Sequence, residues 1–181
     1  LFRSSYHLGF VCYDGMSFLL KKINQLIEKL KSYKMSWGAY ITNSLVNRTD
    51  AAKHVYNNIL TEAAILGHNG AEWAKTNGLS VKANEVKEIA AIFAQKGSNS
   101  IPSLNLGGKK YQVTHYEPGK TIYLKISGGG GTIAKTKQAY IIGIYNTTQK
   151  YKYDGKDMPQ SPGMCNTAVE ETANGLIASG Y

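Results

Sequence analysis

The segment Met35-Ser36-Trp37-Gly38-Ala39-Tyr40 carries two aromatic side chains on one face of a predicted helix. Trp37 and Tyr40 are three residues apart, and residues at that spacing are neighbours on a helix surface. A second predicted helix follows Pro162-Gly163 and runs to the aromatic residue Tyr181. If the two terminal helices lie side by side, their rings form a shallow ridge that suits a polyproline II ligand. The alternative is that Trp37 and Tyr40 only pin a terminal helix to a sheet.

Between these helices the sequence predicts a sheet and one further helix. Asn69-Gly70 predicts a tight hairpin, because Asn-Gly supplies the positive φ angles of such turns. Ser80 is a plausible N-cap of a helix that runs to about Gln95 and stops at Gly97. The predicted strands are joined by short turns and must therefore be antiparallel; they are Thr61–Gly67, Ala71–Ala74, Tyr111–Tyr116, Thr121–Ser127, Thr132–Lys135 and Gln138–Tyr145.

Several motifs follow the opening segment in a fixed order. They are Gly67-His68-Asn69-Gly70-Ala71-Glu72-Trp73-Ala74, Leu104-Asn105-Leu106-Gly107-Gly108-Lys109-Lys110-Tyr111, the stretch from Lys135 to Tyr145, and Pro162-Gly163-Met164-Cys165-Asn166. In order and spacing, residues 35–181 resemble profilin, a family of small proteins that bind actin monomers. The resemblance implies an α+β fold: a central antiparallel sheet, with the N- and C-terminal helices packed together on one face and a further helix on the other.

The resemblance also implies a site for proline-rich ligands. Its residues would be Trp37, Tyr40, Trp73 and Tyr181, whose rings offer apolar faces and whose N–H or O–H groups can bond ligand carbonyls. Trp73 could instead face inward from its strand. The sequence departs from the family pattern at Gly175, where profilins usually carry histidine or an aromatic residue, and the missing ring should weaken proline binding.

A second implied surface binds actin through the middle strands and the start of the last helix. Because the outer face of actin is acidic, lysines there would steer the encounter and an apolar contact would hold it. Two positions, His115 and Thr167, lack the permanent cations of animal profilins, and the lysines alone could simply aid solubility. The matching residues are Lys110, Val113, His115, Lys125, Gly163, Asn166, Thr167 and Glu171.

A third implied surface binds phosphoinositide headgroups. Lys135 and Lys137 lie in the matching Lys-Thr-Lys stretch, and their spacing of two predicts that both point from one face of a strand. Such binding would be electrostatic and sensitive to salt.

Two stretches are longer than the profilin pattern requires. Residues 46–58 read as a polar insertion, and Asn146–Gln160 reads as a loop that enters the last helix beside the actin-facing surface. With Tyr151 and Tyr153, this loop could strengthen actin binding or obstruct it.

The net charge of +9 is shared between two parts of the chain. Residues 1–34 hold six Lys/Arg against two acidic residues, and residues 35–181 hold fifteen against ten. This balance favours a solvated lysine-rich surface over a nucleic-acid site. Residues 16–34 could form a basic amphipathic helix on anionic lipid, which makes a profilin-like membrane-surface adaptor the alternative function. We expect instead that residues 1–34, which match nothing in the family, are absent from the mature protein.

The sequence predicts neither a catalytic site, a metal site nor a cofactor. The Gly128–Gly131 run lacks the Gly-Lys-Ser/Thr ending of a phosphate-binding loop and reads as a mobile hairpin turn. Cys165 lies where a helix start would favour a thiolate, yet buried packing is the expected role. Two separate cysteines fit a reducing compartment. We therefore expect a monomeric protein of the cytoplasm and cytoskeleton whose partners are monomeric actin, proline-rich proteins and anionic phosphoinositides.

Overall fold

The computed structural model describes residues 22–23, 36–95 and 103–181. Of the predicted amphipathic helix 16–34, only Lys22 and Ile23 are described, and both are helical. Gly97, the predicted stop of the middle helix, lies outside the described residues. Residues 36–181 form a compact unit. Its helices are α1 (Trp37–Tyr40), a π-helix (Ile41–Val46), α2 (Ala83–Ala94) and α3 (Pro162–Ala178). Its strands are β1 (Arg48–Thr49), β2 (Val55–Asn57), β3 (Glu62–Gly67), β4 (Glu72–Lys75), β5 (Ser103–Leu106), β6 (Lys109–Glu117), β7 (Thr121–Ile126), β8 (Gly129–Lys135), β9 (Ala139–Asn146), β10 (Lys150–Tyr153) and β11 (Lys156–Pro159).

Seven strands form the main sheet in the order β4-β3-β9-β8-β7-β6-β5, and every neighbouring pair is antiparallel. Strand β9 lies near the middle and is buried from Ala139 to Tyr145. Successive side chains of a strand point to opposite faces of the sheet. A strand in which every residue is buried must therefore be covered on both sides. The predicted α+β architecture is confirmed.

Each face of the sheet carries its own hydrophobic core. On one face, α2 buries Val86, Ile89 and Phe93 against the strands. On the other face, the π-helix contributes Leu45 and α3 contributes Val169. The two terminal helices therefore share one face and the middle helix takes the other, as the resemblance implies.

The glycine run differs from the prediction. Only Gly128 turns the chain with a positive φ of 74°, whereas Gly129, Gly130 and Gly131 are residues of β8. A Cβ at Gly130 would lie 2.3 Å from the carbonyl oxygen of Leu124, and a Cβ at Gly131 would lie 2.7 Å from that of Gly143. The glycines are thus needed for close approach of neighbouring strands, not for a mobile turn.

Helix α2 begins later than predicted, with Lys82 rather than Ser80 at the N-cap position. The reason is Glu85, a buried carboxylate that accepts the backbone N–H of Lys82 at 2.8 Å. The same carboxylate accepts the N–H groups of Gly107 and Gly108 at 3.1 and 2.9 Å. Glu85 therefore joins the first turn of α2 to the β5–β6 turn.

The two long stretches combine into a second sheet, β1-β2-β10-β11, which we call the insertion sheet. The stretch predicted as a loop over Asn146–Gln160 contains the β10–β11 hairpin, and β10 pairs with β2 from the polar insertion. Asp154 and Gly155 form its turn with φ angles of 45° and 82°, as in a two-residue hairpin loop.

The buried side chain of Gln160 fastens the insertion sheet to the main sheet. Its Oε1 accepts the Thr61 hydroxyl at 2.8 Å and the Asn146 N–H at 3.0 Å. Its Nε2 donates to the Asn58 carbonyl at 2.7 Å. The hairpin is thus held in place at its base, at a residue between the end of β11 and the start of α3.

Candidate functional site

The four aromatic residues of the predicted proline site lie together, and we call them the aromatic platform. The ring centroids of Trp37 and Trp73 are 4.5 Å apart, and those of Trp37 and Tyr181 are 4.9 Å apart in an edge-on arrangement. Tyr40 lies 5.7 Å from Trp37 on the same helix face. All four side chains are partly exposed while packing against the core beneath the terminal helices. Trp73 is therefore not sealed inside the protein.

Local backbone contacts fix both ends of the platform. Ser36 caps α1 by accepting the Ala39 N–H on its hydroxyl at 3.2 Å. At the other end, the N–H of Tyr181 donates to the Leu176 carbonyl at 2.9 Å, and the Lys137 N–H donates to the Tyr181 carbonyl at 3.1 Å. The rings from opposite ends of the domain are thus held in a fixed relation before any ligand binds.

A trough of about 210 Å³ adjoins the platform between the π-helix and α3. Tyr40 and Gly175 line it, and a Cβ at Gly175 would meet no atom within 4 Å. The missing ring at Gly175 therefore leaves open space directly beside Tyr40. The same trough is crossed by an ion pair between Arg48 of the insertion sheet and Glu171.

A second concave surface, of about 460 Å³, lies where the middle strands meet the start of α3. It brings together three of the residues predicted for actin, His115, Lys125 and Asn166, with Pro162. It also includes Tyr123, which sequence reasoning missed. Tyr123 stacks on His115 with ring centroids 5.7 Å apart and donates its hydroxyl to Glu170 at 2.6 Å. Burial, together with that hydrogen bond, raises the pKa of Tyr123.

The other residues predicted for actin divide into exposed and buried positions. Lys110 is exposed on β6, on the sheet face it shares with Lys125, because Gln112 pairs with Lys125. Gly163 and Thr167 are exposed on the first turns of α3. Val113 has only 1% of its surface exposed and lies in the core beneath α2, so its proposed contact with a partner is corrected.

The family is decided by comparison with known proteins. The profilin family model, described as Profilin, matches residues 35–181. The chain belongs to the profilin family.

Solved profilins share its fold. Acanthamoeba castellanii profilin II has 28% sequence identity and a TM-score of 0.61, with 81% of this chain and 100% of that chain covered. Acanthamoeba castellanii profilin IB has 27% identity and a TM-score of 0.63 over the same shares. LokiProfilin1, solved in a complex with rabbit actin, has 17% identity and a TM-score of 0.50, with 88% of this chain and 96% of that chain covered.

The two lysines predicted for phosphoinositide binding in this profilin do not share a strand face. Strand β8 ends at Lys135, and Lys137 lies in the turn that follows. The Lys135 ammonium lies 6.0 Å from the centre of the Phe93 ring, whereas Lys137 is exposed next to Tyr181. The prediction that both lysines point from one face of a strand is wrong, because the strand ends between them.

Cys165 has no exposed surface, and its burial raises the pKa of the thiol to about 12. Its expected packing role is confirmed, since desolvation outweighs the helix start that would favour a thiolate. Across the described part of this profilin, no three His, Cys, Asp or Glu residues are grouped as a metal site. Within the same residues, no helix is both long and apolar enough to cross a bilayer.

Proposed function

We propose that this profilin is a non-catalytic protein of the cytoplasm and cytoskeleton that binds monomeric actin and proline-rich segments and thereby regulates actin polymerisation. The observation that carries the proposal is the aromatic platform, in which rings from α1, from β4 and from Tyr181 after the end of α3 contact one another and remain partly exposed. Each ring combines a flat apolar face with one donor, and the carbonyls of a polyproline II segment need such donors.

Actin binding is proposed for the concave surface at the start of α3. Lys110 and Lys125 supply positive charge, and His115 and Tyr123 supply flat side chains. Asn166 lines the same surface, and Gly163 and Thr167 extend it along α3. Membership of the profilin family supports this proposal, as does the existence of a LokiProfilin1 complex with rabbit actin.

The two binding activities are tested with a pair of reciprocal variants. Both tryptophans of the chain belong to the aromatic platform, so intrinsic tryptophan fluorescence reports decaproline binding directly. We expect Tyr181→Ala to weaken decaproline binding about tenfold and to leave actin binding intact. We expect Lys125→Glu to weaken binding of labelled actin monomers by a similar factor and to leave decaproline binding intact.

The proposal fails if the wild-type protein shows no saturable binding to either ligand. It also fails if each variant loses both activities together while remaining folded by circular dichroism, because the two surfaces would then not be separate.

Phosphoinositide binding is proposed only for the exposed turn at Lys137, with Lys135 as a neighbour. Flotation with vesicles containing anionic lipid is expected to recover the protein at low salt and to lose it at about 0.5 M salt. Lys137→Glu should reduce recovery. If recovery is unchanged, the turn is not the lipid site, and if it depends on residues 1–34, the membrane-adaptor function is favoured instead.

A further inference from the structure

The insertion sheet meets the surface proposed for actin at the end of β11. Strand β11 finishes at Pro159, three residues before Pro162, which lines the concave surface. The other contact of the insertion sheet with α3, the ion pair of Arg48 with Glu171, lies in the trough beside Tyr40 and not at the concave surface. Three residues span at most about 11 Å. The last strand of the β10–β11 hairpin therefore ends at the rim of the proposed actin site.

The pairing register shows which side chains the hairpin presents. Directly opposed residues of an antiparallel pair point to the same face. Tyr151 is opposite Met158, and Tyr153 is opposite both Tyr56 and Lys156, so these five side chains share one face.

Only part of this face is covered by the protein. Tyr151 has 8% of its surface exposed and packs with Tyr56 and Tyr153 against the core beneath the terminal helices. Met158, in contrast, is 42% exposed, and Lys156 is also exposed. The tyrosines considered for actin contact in the sequence therefore serve to pack the sheet, and the edge strand β11 extends past the core that they cover.

We propose that β11 extends the actin-binding surface of this profilin, with Met158 as an apolar contact and Lys156 as an accompanying positive charge. The inference rests on the proposed actin binding at the concave surface. The occupant is an actin monomer because β11 is continuous in the chain with Pro162, a residue of that surface. An acidic partner also matches the charge of the exposed edge, where Lys156 stands beside Met158, while Asp157 pairs with Lys152 at 3.0 Å on the opposite face.

The hairpin is suited to binding because it is ordered in advance. Gln160 holds its base through three hydrogen bonds, and the pairing of β10 with β2 holds its centre. A preformed strand loses little conformational entropy when a partner docks, whereas a loop of the same length would lose much more. A single apolar side chain at the rim can then make a measurable contribution.

The test compares two exposed apolar residues of the insertion sheet. Met158 and Val55 are 42% and 45% exposed, but Val55 points to the opposite face from Tyr56, its neighbour on β2. We expect Met158→Asp to weaken binding to labelled actin monomers about tenfold, and the milder Met158→Ala to weaken it about threefold. Val55→Asp should change it less than twofold. Decaproline binding, followed by tryptophan fluorescence in each variant, reports that the rest of the domain is folded.

The outcomes separate this inference from the proposed function. Selective loss in the Met158 variants with intact decaproline binding supports it. If the wild type binds actin and both Met158 variants bind it equally tightly, the inference is overturned while the proposed function stands. Tighter binding in the Met158 variants, or equal losses in the Met158 and Val55 variants, overturns it as well. Absence of actin binding by the wild type overturns both.

Discussion

Single residues tune a platform whose geometry is already set by the helix ends. The four rings contact one another at centroid distances of 4.5 to 6.3 Å. Gly175, in contrast, leaves a gap beside Tyr40 in the helix that leads to Tyr181. Proline affinity should therefore depend on which residue occupies this one position, because a side chain there can begin without its Cβ meeting any atom within 4 Å.

The Gly175→Tyr variant is expected to bind decaproline about three to ten times more tightly than the wild type, because an added ring extends the apolar surface. Gly175→Ala is the control: it should raise the free energy of unfolding by about 0.5–1 kcal/mol through lower chain entropy, without changing decaproline affinity. Fluorescence titration and denaturant unfolding measure both quantities. Equal affinity in all three proteins would contradict the assigned location of the proline site.

His68 is expected to make the stability of the domain depend on pH. Burial lowers the pKa of His68 below its ordinary value of 6.5, although a hydrogen bond to the Ala139 carbonyl acts in the opposite direction. The folded state therefore favours the neutral ring, and the unfolded state binds the proton first as the pH falls. The contribution of His68 to the free energy of unfolding is fully present above pH 6.5 and is lost as the pH falls toward the pKa of the folded state.

Denaturant unfolding of the wild type and of His68→Gln between pH 7.5 and about 5 measures this effect. The difference between the two proteins removes the contribution of the carboxylates that both share. We expect the wild type to lose more stability than the variant on acidification. The opposite slope would show that the folded protein prefers the charged ring.

At the scale of elements, helix α2 and the edge of the main sheet depend on one carboxylate. Glu85 accepts three backbone N–H groups, from Lys82, Gly107 and Gly108, in a buried setting. Removing the acceptor leaves donors that water cannot easily reach, so Glu85→Ala should cost about 3 kcal/mol of unfolding free energy.

Glu88 on the same helix provides the matched control for Glu85. Its carboxylate accepts the N–H of Asn105 at 2.9 Å in an exposed setting, where water can replace it. Glu88→Ala should therefore cost less than about 1 kcal/mol. If the two variants are equally stable in urea unfolding, Glu85 does not join α2 to the sheet in the way described.

Element prediction from the sequence succeeded where the pattern was local. The strands around His68-Asn69-Gly70 were predicted within one residue, because turn residues mark them. The last helix was predicted from Pro162-Gly163, but it ends at Ala178, three residues before the predicted end at Tyr181. The β10–β11 hairpin also had a local signal, the alternation Lys150-Tyr151-Lys152-Tyr153 before Asp154-Gly155, which was overlooked. Strand β5 was missed in the same way before Gly107-Gly108.

Other features depend on contacts between distant segments and could not be predicted. The glycines of β8 are needed because carbonyl oxygens of β7 and β9 leave no room for a Cβ, and those strands lie elsewhere in the chain. Pairing of β2 with β10 joins residues about a hundred positions apart. The residues predicted for actin and phosphoinositide came from family resemblance, and the resemblance did not show that Val113 is buried or that Lys137 leaves the strand.

At the scale of the whole molecule, the two proposed sites lie toward opposite ends of helix α3. Asn166 lines the concave surface near the first turns, and Tyr181 follows the last turn. The twelve residue-to-residue steps from Asn166 to Ala178 span about 18 Å at a rise of 1.5 Å each. We therefore expect a proline-rich segment on the aromatic platform to leave the concave surface free, so that one profilin molecule binds both proposed partners at once.

Sedimentation velocity of labelled actin monomers with this profilin, with and without saturating decaproline, tests this central claim most directly. The account predicts a complex that contains all three components, with the affinity for actin changed less than about twofold by the peptide. Displacement of actin by decaproline would contradict it, because the two surfaces would then overlap or be strongly coupled.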